Sequence, residues 1–375
     1  MYRALALAAA ALAACNGSGG DAVAQESAPA TGLPFKVETV ASFNSPWAMT
    51  FLPDGRMLVT EKAGALILAS ANGAQKTVVA GTPTVDSAGQ GGLMDVVLAP
   101  DFAQSRMVYL SWSEAGAGGK GVALGRGRLS QSGDRLEGFE TIFRATPFVE
   151  GNGHYSGRIA FAPDGRHLFF TNGERQKFDP AQDPKATLGK VLRLTLDGKP
   201  APGNPLAAQG FHPAVWSYGH RNLLGISFDS AGNLWEQEMG PKGGDEVNLI
   251  QGGKNYGYPL VSDGDHYDGR DIPNHSTRPE FEKYKVNWTP VISPAGLIVY
   301  SGAMFPEWRG DLFIGGLSSQ ALIRVDVNGT NATKGDQWPM GTRIREVEQG
   351  PDGALWLLED GQRGAGGKLM RLSKS

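Results

Sequence analysis

The sequence predicts an all-β fold, a six-bladed β-propeller of four-stranded antiparallel blades. Three observations carry this. The 375 residues include 53 Gly and 23 Pro with only 19% charged side chains, a composition suited to short strands and tight turns rather than long surface helices. A unit made of an apolar strand, a turn containing Pro, Asp or Gly, and a second apolar strand recurs with the period of two expected of hairpins. Shorter apolar strands follow several of these units. Repeating such sheets radially protects their edges and closes the ring around a channel.

Clear copies of the unit are PWAMTFLPDGRMLVT from Pro46, GRIAFAPDGRHLFFT from Gly157, GISFDSAGNLWEQ from Gly225 and IREVEQGPDGALWLL from Ile344. Looser copies are LMDVVLAPDF from Leu93 and MFPEWRGDLFIGG from Met304. Six copies give six blades. The strands ALILAS from Ala65, KVLRLTLDG from Lys190, DEVNLI from Asp245, ALIRVDVNG from Ala321 and GKLMRLS from Gly367 are expected as outer strands. Uneven spacing places insertions between blades, the largest from Gly257 to Pro290, and long loops in compact folds are functional or disordered. A sandwich array is the other arrangement open to these strands.

Ahead of the repeats, Met1 to Ala14 carries one charge, Arg3, before an almost unbroken run of Leu and Ala, a secretory signal too short to span a bilayer. It ends in Leu12-Ala13-Ala14-Cys15, which looks like a bacterial lipobox, and Cys15 is the chain's single cysteine. A buried, unmodified thiol is the plainer reading of that residue. With lipid on Cys15, residues 1–15 are the signal, 16–33 a Gly-, Ser-, Ala- and Pro-rich tether, and 34–375 the propeller. Such a tether reaches about 20 to 25 Å. The expectation is a protein on the periplasmic side of a bacterial membrane, a monomer or homodimer touching lipid only through its anchor. One cysteine excludes internal disulfides, and a formal charge of −3 without a polybasic run argues against a nucleic-acid partner.

The stretch most dense in polar recognition residues is Tyr218 to Pro259, YGHRNLLGISFDSAGNLWEQEMGPKGGDEVNLIQGGKNYGYP. Its ordered pieces GHRN, the MGP turn, GGDE and NYGYP resemble the quinoprotein sugar dehydrogenases, the family of soluble glucose dehydrogenase and aldose sugar dehydrogenase. GQGGLMDVVLAPDF from Gly89, GHYSGRIAFAPDG from Gly153 and RIREV near the end extend the resemblance over roughly Pro34 to Leu372. It implies pyrroloquinoline quinone (PQQ) and Ca²⁺ as cofactors, an aldose sugar as substrate oxidised at C1 to its lactone, and an electron acceptor that the sequence does not identify. His154 falls on the family's catalytic base and Gln90 on a substrate-contacting glutamine. Arg221, Asn222, Arg343 and Arg345 fall on cofactor contacts, and Asp245 is assigned to the same site. The carbonyls of Gly240 and Pro241 correspond to ligands of the Ca²⁺ on the quinone. The Glu246 carboxylate and Tyr256 carbonyl correspond to ligands of a second Ca²⁺, with Asp263 or Asp265 completing it.

The chemistry is coherent apart from the resemblance. Oxidation at an anomeric carbon needs a proton acceptor beside the hydroxyl, and a neutral imidazole is one at working pH. Three quinone carboxylates need cations, which arginine supplies as a bidentate donor. Carbonyl oxygens suit a hard cation that polarises the quinone as a Lewis acid. Plainer readings stand beside these. A His next to Gly often marks a turn, Asn222 can cap one, and alternating arginines on a strand usually face solvent. His220 reads as structural, His266 and His275 as solvated, His167 and His212 as without a role, and Trp288 as either a pocket wall or a packing residue. The run DGDHYDGRD lacks the spacing of an EF-hand loop.

The chain departs from soluble glucose dehydrogenase at Gly153, where that enzyme has Asp, at Met239, where it has Gln, and near Ser318, where it has a cofactor-binding lysine. It resembles the aldose sugar dehydrogenase subgroup more closely, which implies broader aldose specificity. A calcium-dependent lactonase and a non-catalytic carbohydrate-binding lipoprotein are the competing functions on the same architecture.

Overall fold

The computed structural model describes residues 32–361 and 366–374. The expected signal with Cys15, and residues 16–31 of the tether, lie outside them. Six four-stranded antiparallel sheets follow one another along the chain. Blade 1 comprises Pro46–Phe51, Met57–Glu61, Leu66–Ala69 and Lys76–Val79; blade 2, Leu93–Leu98, Met107–Gly116, Gly119–Leu129 and Leu136–Arg144. Blade 3 comprises Ser156–Phe161, His167–Asn172, Lys190–Thr195 and Val215–Tyr218; blade 4, Leu223–Phe228, Leu234–Glu238, Asp245–Ile250 and Val286–Trp288. Blade 5 comprises Pro294–Val299, Leu312–Gly316, Ala321–Asn328 and Asn331–Pro339. Blade 6 joins the chain's two ends: Ile344–Gln349, Leu355–Glu359 and Lys368–Lys374 are completed by Phe35–Ser42, which pairs antiparallel to the last strand from Phe35 opposite Lys374. The first strand of each blade packs on the first strand of the next, and that of blade 6 packs on that of blade 1, so the ring closes. Among the described residues no helix is long and apolar enough to cross a membrane.

The predicted architecture is present, with two differences in its parts. The strands expected at the rim are third strands. The fourth strands are additional, and the hydrophobic pattern did not mark them because one of their faces meets solvent: Lys76–Val79 and Asn331–Pro339 are mostly exposed. The MFPEWRGDLFIGG copy is not a hairpin but a connecting turn followed by a second strand, and the first strand of that blade is Pro294–Val299. The Gly257 to Pro290 insertion holds the fourth strand of blade 4, and its Gly264–Asp265 pairs with Lys242–Gly243.

Every first strand has an irregular register near its start, for example between Leu93 and Val96, between Ser156 and Ile159, and between Leu223 and Gly225. A bulge bends its strand and re-aims the side chains beside it. Two glycines make the accompanying close approach possible. At Gly157, with φ +90°, a Cβ would sit 2.7 Å from the Met94 side chain; at Gly296, with φ +66°, one would sit 2.8 Å from the backbone of Val347.

The first strands meet around one buried cation. Arg158 of blade 3 pairs with Asp95 of blade 2 at 3.3 Å and with Glu346 of blade 6, donates to the Leu224 carbonyl of blade 4 at 2.9 Å, and lies over the Trp47 ring of blade 1 at 4.1 Å. Burial pushes the Asp95 carboxyl up and that of Glu346 up to about 8, and the guanidinium opposes both. Removing one partner of a buried ion pair costs about 3–5 kcal/mol, because the remaining charge is left uncompensated. Arg158→Met is therefore expected to lose at least about 3 kcal/mol in chemical denaturation; a loss below about 1 kcal/mol would show that these carboxylates are satisfied without it.

Candidate functional site

Residues just ahead of the first strands converge on one face of the ring and line two adjoining cavities. The axial cavity, about 270 Å³, is bounded by Trp47, Lys62, Gln90, Asn222, Ser318, Arg343 and Arg345 among others. The lateral cavity, about 220 Å³, is bounded by His154, Glu174, Gln176, Phe178, Arg221, Pro241, Tyr258 and residues of the insertion including His266 and Tyr267. Tyr267 lines both.

His154 is buried at the wall of the lateral cavity and held in a left-handed conformation, φ 49°. Its backbone N–H donates to the Gln90 side-chain oxygen at 2.7 Å, and its Nδ1 is hydrogen-bonded to the buried Glu174 carboxylate. The second carboxylate oxygen accepts the N–H groups of Lys177 at 2.5 Å and Phe178 at 2.7 Å. An ionised carboxylate only accepts, so Nδ1 carries the proton and Nε2 keeps its lone pair. Burial, assisted by the Arg221 charge, holds the imidazole below its ordinary 6.5 against the pull of Glu174. Burial opposes ionisation of Glu174, but the His154 hydrogen bond and charge outweigh it and hold the carboxyl below its usual value.

The loop carrying His154 is clamped by Arg175, whose guanidinium donates to the carbonyls of Gly153 at 2.8 Å, Lys120 at 2.6 Å and Gly151 at 2.7 Å and lies over the Tyr155 ring at 3.7 Å. Ser156, Arg175, Gln176 and Phe178 also have positive φ. Side chains with a Cβ adopt this conformation at a cost of order 1–3 kcal/mol each, and such residues gather where surrounding contacts over-determine the backbone. At Gly153 a Cβ would meet the Gln176 side chain at 2.5 Å, so glutamine fills the space beside this glycine.

The axial cavity is cationic. Arg343 and Arg345 both point into it and share one buried carboxylate, Asp360: Arg343 Nε donates to Oδ2 at 2.8 Å and Arg345 Nε to Oδ1 at 2.7 Å. Lys62 adds a third positive charge, and no carboxylate lines this cavity among the described residues. The alternation that would expose both arginines in a flat sheet here aims them at the axis. Asn222 lines the same wall, and its Oδ1 accepts the Ser156 hydroxyl at 3.3 Å.

The remaining candidates divide. Pro241 borders the lateral cavity, while the Gly240 carbonyl accepts Arg221 Nη1 at 2.6 Å. Asp245 lines neither cavity. Its carboxylate accepts three backbone N–H groups, from Gly240 at 2.8 Å and from Ile292 and Ser293 at 2.7 Å, and so shapes the turn that carries Gly240 and Pro241. Glu246 and Tyr256 border a third, much smaller space of about 10 Å³, together with Glu238, Ser262 and His275; that is about one water or ion. Burial pushes the Glu246 carboxyl up to about 7. Behind it Glu236 Oε1 and Asn248 Oδ1 are buried acceptors with no hydrogen-bond partner among the described residues. His275, expected in solvent, is buried 3.4 Å from Glu246. Asp263 accepts the His275 N–H at 3.0 Å, whereas Asp265 is exposed. His266 edges the lateral cavity beside Phe178. His220 is buried between Ser217 and Glu238 and stacked on Tyr256, as a structural residue would be. Trp288 packs in the core of blades 4 and 5, away from both cavities.

Sequence reasoning missed Glu174, Arg175 and Lys62. Each lies at a strand end or in a loop, where hydrophobic periodicity carries no signal; a carboxylate following a second strand, in TNGERQKF, was the available cue for Glu174.

The family described as Glucose / Sorbosone dehydrogenase matches residues 43–371. Aldose sugar dehydrogenase YliI of Escherichia coli (strain K12) is 40% identical over 336 residues, covering 88% of this chain and 90% of that protein. Quinoprotein glucose dehydrogenase B of Acinetobacter calcoaceticus is 29% identical over 332 residues, covering 80% and 68% respectively. The solved PQQ-bound form of aldose sugar dehydrogenase from Streptomyces coelicolor superposes with a TM-score of 0.74 at 31% identity, covering 90% of this chain and 98% of that one.

The lowered imidazole pKa is measurable by NMR of the His154 ring nitrogens. The ring is expected to titrate below 6.5 as the Nδ1-protonated tautomer, and Glu174→Gln, which removes the charge that favours imidazolium, is expected to lower the midpoint further. A midpoint that rises in Glu174→Gln would contradict the assigned pairing.

Proposed function

The chain belongs to the glucose/sorbosone dehydrogenase family, and from that premise we propose that it is a PQQ- and calcium-dependent dehydrogenase that oxidises aldose sugars at C1 to aldonolactones. The observation that carries this reading is the juxtaposition of a neutral, carboxylate-oriented histidine in one cavity with a neighbouring cavity lined, among the described residues, by cations and no anion. The second is what a tricarboxylate quinone requires. The same absence of carboxylates argues against a lactonase built around an axial metal, whose ion would need them.

Arg343, Arg345 and Asn222 would hold the quinone, which supplies the two-electron acceptor for the C1–H bond that breaks. His154 takes the C1 hydroxyl proton at Nε2, and Glu174 stabilises the imidazolium that forms. Gln90 has its oxygen committed to the His154 backbone, leaving the amide N–H groups to orient a sugar oxygen. Phe178, Tyr258 and Tyr267 wall the lateral cavity with ring faces suited to a sugar, and Tyr267 is largely exposed to arriving substrate.

For calcium, the carbonyls of Gly240 and Pro241 would hold one ion, which would act as a Lewis acid, and Arg221, bonded to the Gly240 carbonyl, would add positive charge beside the cofactor. The Glu246 carboxylate and Tyr256 carbonyl would hold the second ion, in a small space that the Glu238 carboxylate also borders. The proposed lipid on Cys15 would keep this chemistry at the periplasmic face of a bacterial membrane, near the acceptor that reoxidises the cofactor.

Purified protein is expected to reduce an artificial dye with an aldose only when both PQQ and Ca²⁺ are supplied. Activity without added quinone in rigorously cofactor-free protein, or lactone hydrolysis in its place, would overturn the reading. His154→Ala is expected to lower kcat by at least ~100-fold, the scale of general-base catalysis, with quinone affinity within about threefold; preserved turnover would remove the histidine from the proton step. In that variant's pH profile the acid limb of the parent, set by protonation of His154 below 6.5, should disappear.

A further inference from the structure

We infer that Lys62 is a third cation of the axial site and binds a carboxylate of the quinone directly; this rests on the proposed quinone function. Lys62 follows Glu61 at the end of the second strand of blade 1, and its backbone is pinned on both sides. Its N–H donates to the Ser45 carbonyl at 3.0 Å, and its own carbonyl accepts the Leu93 N–H of blade 2 at 3.1 Å. The side chain is given room by Gly92, where a Cβ would stand 2.6 Å from Lys62 Cγ and 2.2 Å from its carbonyl oxygen. A glycine is thus required for the lysine to reach the axis.

The ammonium donates to the Gly89 carbonyl at 2.5 Å. An ammonium has three N–H donors, and among the described residues no carboxylate lies within ion-pair distance of it. Burial, with Arg345 close by, already disfavours its charge, although Asp360 opposes the effect. Arg343 and Arg345 share Asp360, so of the positive charge facing the cavity theirs is half offset and that of Lys62 is not. An anion entering this space gains most from the unpaired charge. Ser318, which lines the same cavity, offers only a hydroxyl.

The test is a sugar-free titration of the full chain, cleared of quinone and supplied with Ca²⁺, by PQQ, read from quenching of Trp47, which borders the cavity. Wild type is compared with Lys62→Met and Lys62→Arg. A charge-assisted hydrogen bond corresponds to roughly a 10- to 100-fold change in Kd, so Lys62→Met should weaken binding on that scale. Lys62→Arg should stay within about threefold of wild type. The slope of log Kd against log salt should become shallower in Lys62→Met alone, a readout that a packing defect would not produce, while the Tm of the quinone-free protein stays within about 2 °C of wild type. Unchanged affinity in Lys62→Met, or equal losses in both variants, would overturn the assignment. Absence of saturable binding to wild type would instead remove the quinone reading, and this inference with it.

Discussion

The molecule depends on a buried charge at the centre of its ring. Arg158 touches the first strands of four other blades, through two carboxylates, a carbonyl and an indole face. Such a charge is costly to bury and stable only when fully partnered. Its partners come from blades distant in sequence, so they are together only when the ring has closed. This ion cluster therefore links closure, completed by Phe35–Ser42 on the last strand, to the alignment of the first strands. Those strands in turn fix where the functional side chains stand.

The bulges at the beginnings of the first strands turn that alignment into a site. Each interrupts pairing where the chain enters the blade, and the residues at or just before it, among them Gln90, His154, Asn222 and Arg343, face a cavity. Strain is concentrated there: left-handed backbone at His154, Ser156, Arg175, Gln176 and Phe178 is held by Arg175 binding three carbonyls and Glu174 binding two N–H groups. The backbone that carries His154 is thus held rigid by the side chains of Arg175 and Glu174. Asp245 does the same for the Gly240–Pro241 turn.

Electrostatics divide the site by function. The axial cavity collects positive charge, whereas the small space beside Glu246 is bordered by the carboxylates of Glu238 and Glu246. The lateral cavity holds a neutral imidazole. That neutrality follows from burial beside Arg221, which outweighs Glu174. Had Glu174 prevailed, the imidazole would be protonated more readily than an ordinary histidine.

The sequence by itself determined the fold and singled out several residues that border the two cavities. Blade number followed from the strand and turn repeat, because alternation of apolar residues reports directly on which strands are buried. His154, Arg221, Asn222, Arg343 and Arg345 were legible from ordered motifs, and the structure places all of them on the two cavities. Only the tertiary structure decided what surrounds them. It showed Asp245 bonded to the backbone of the Gly240–Pro241 turn, brought His275 out of solvent against Glu246, and put Trp288 into the core. It also revealed Glu174, Lys62 and Arg158, whose roles depend on partners contributed by other strands or blades. Local pattern encodes burial; the pairing of charges across a closed ring exists only once distant segments meet.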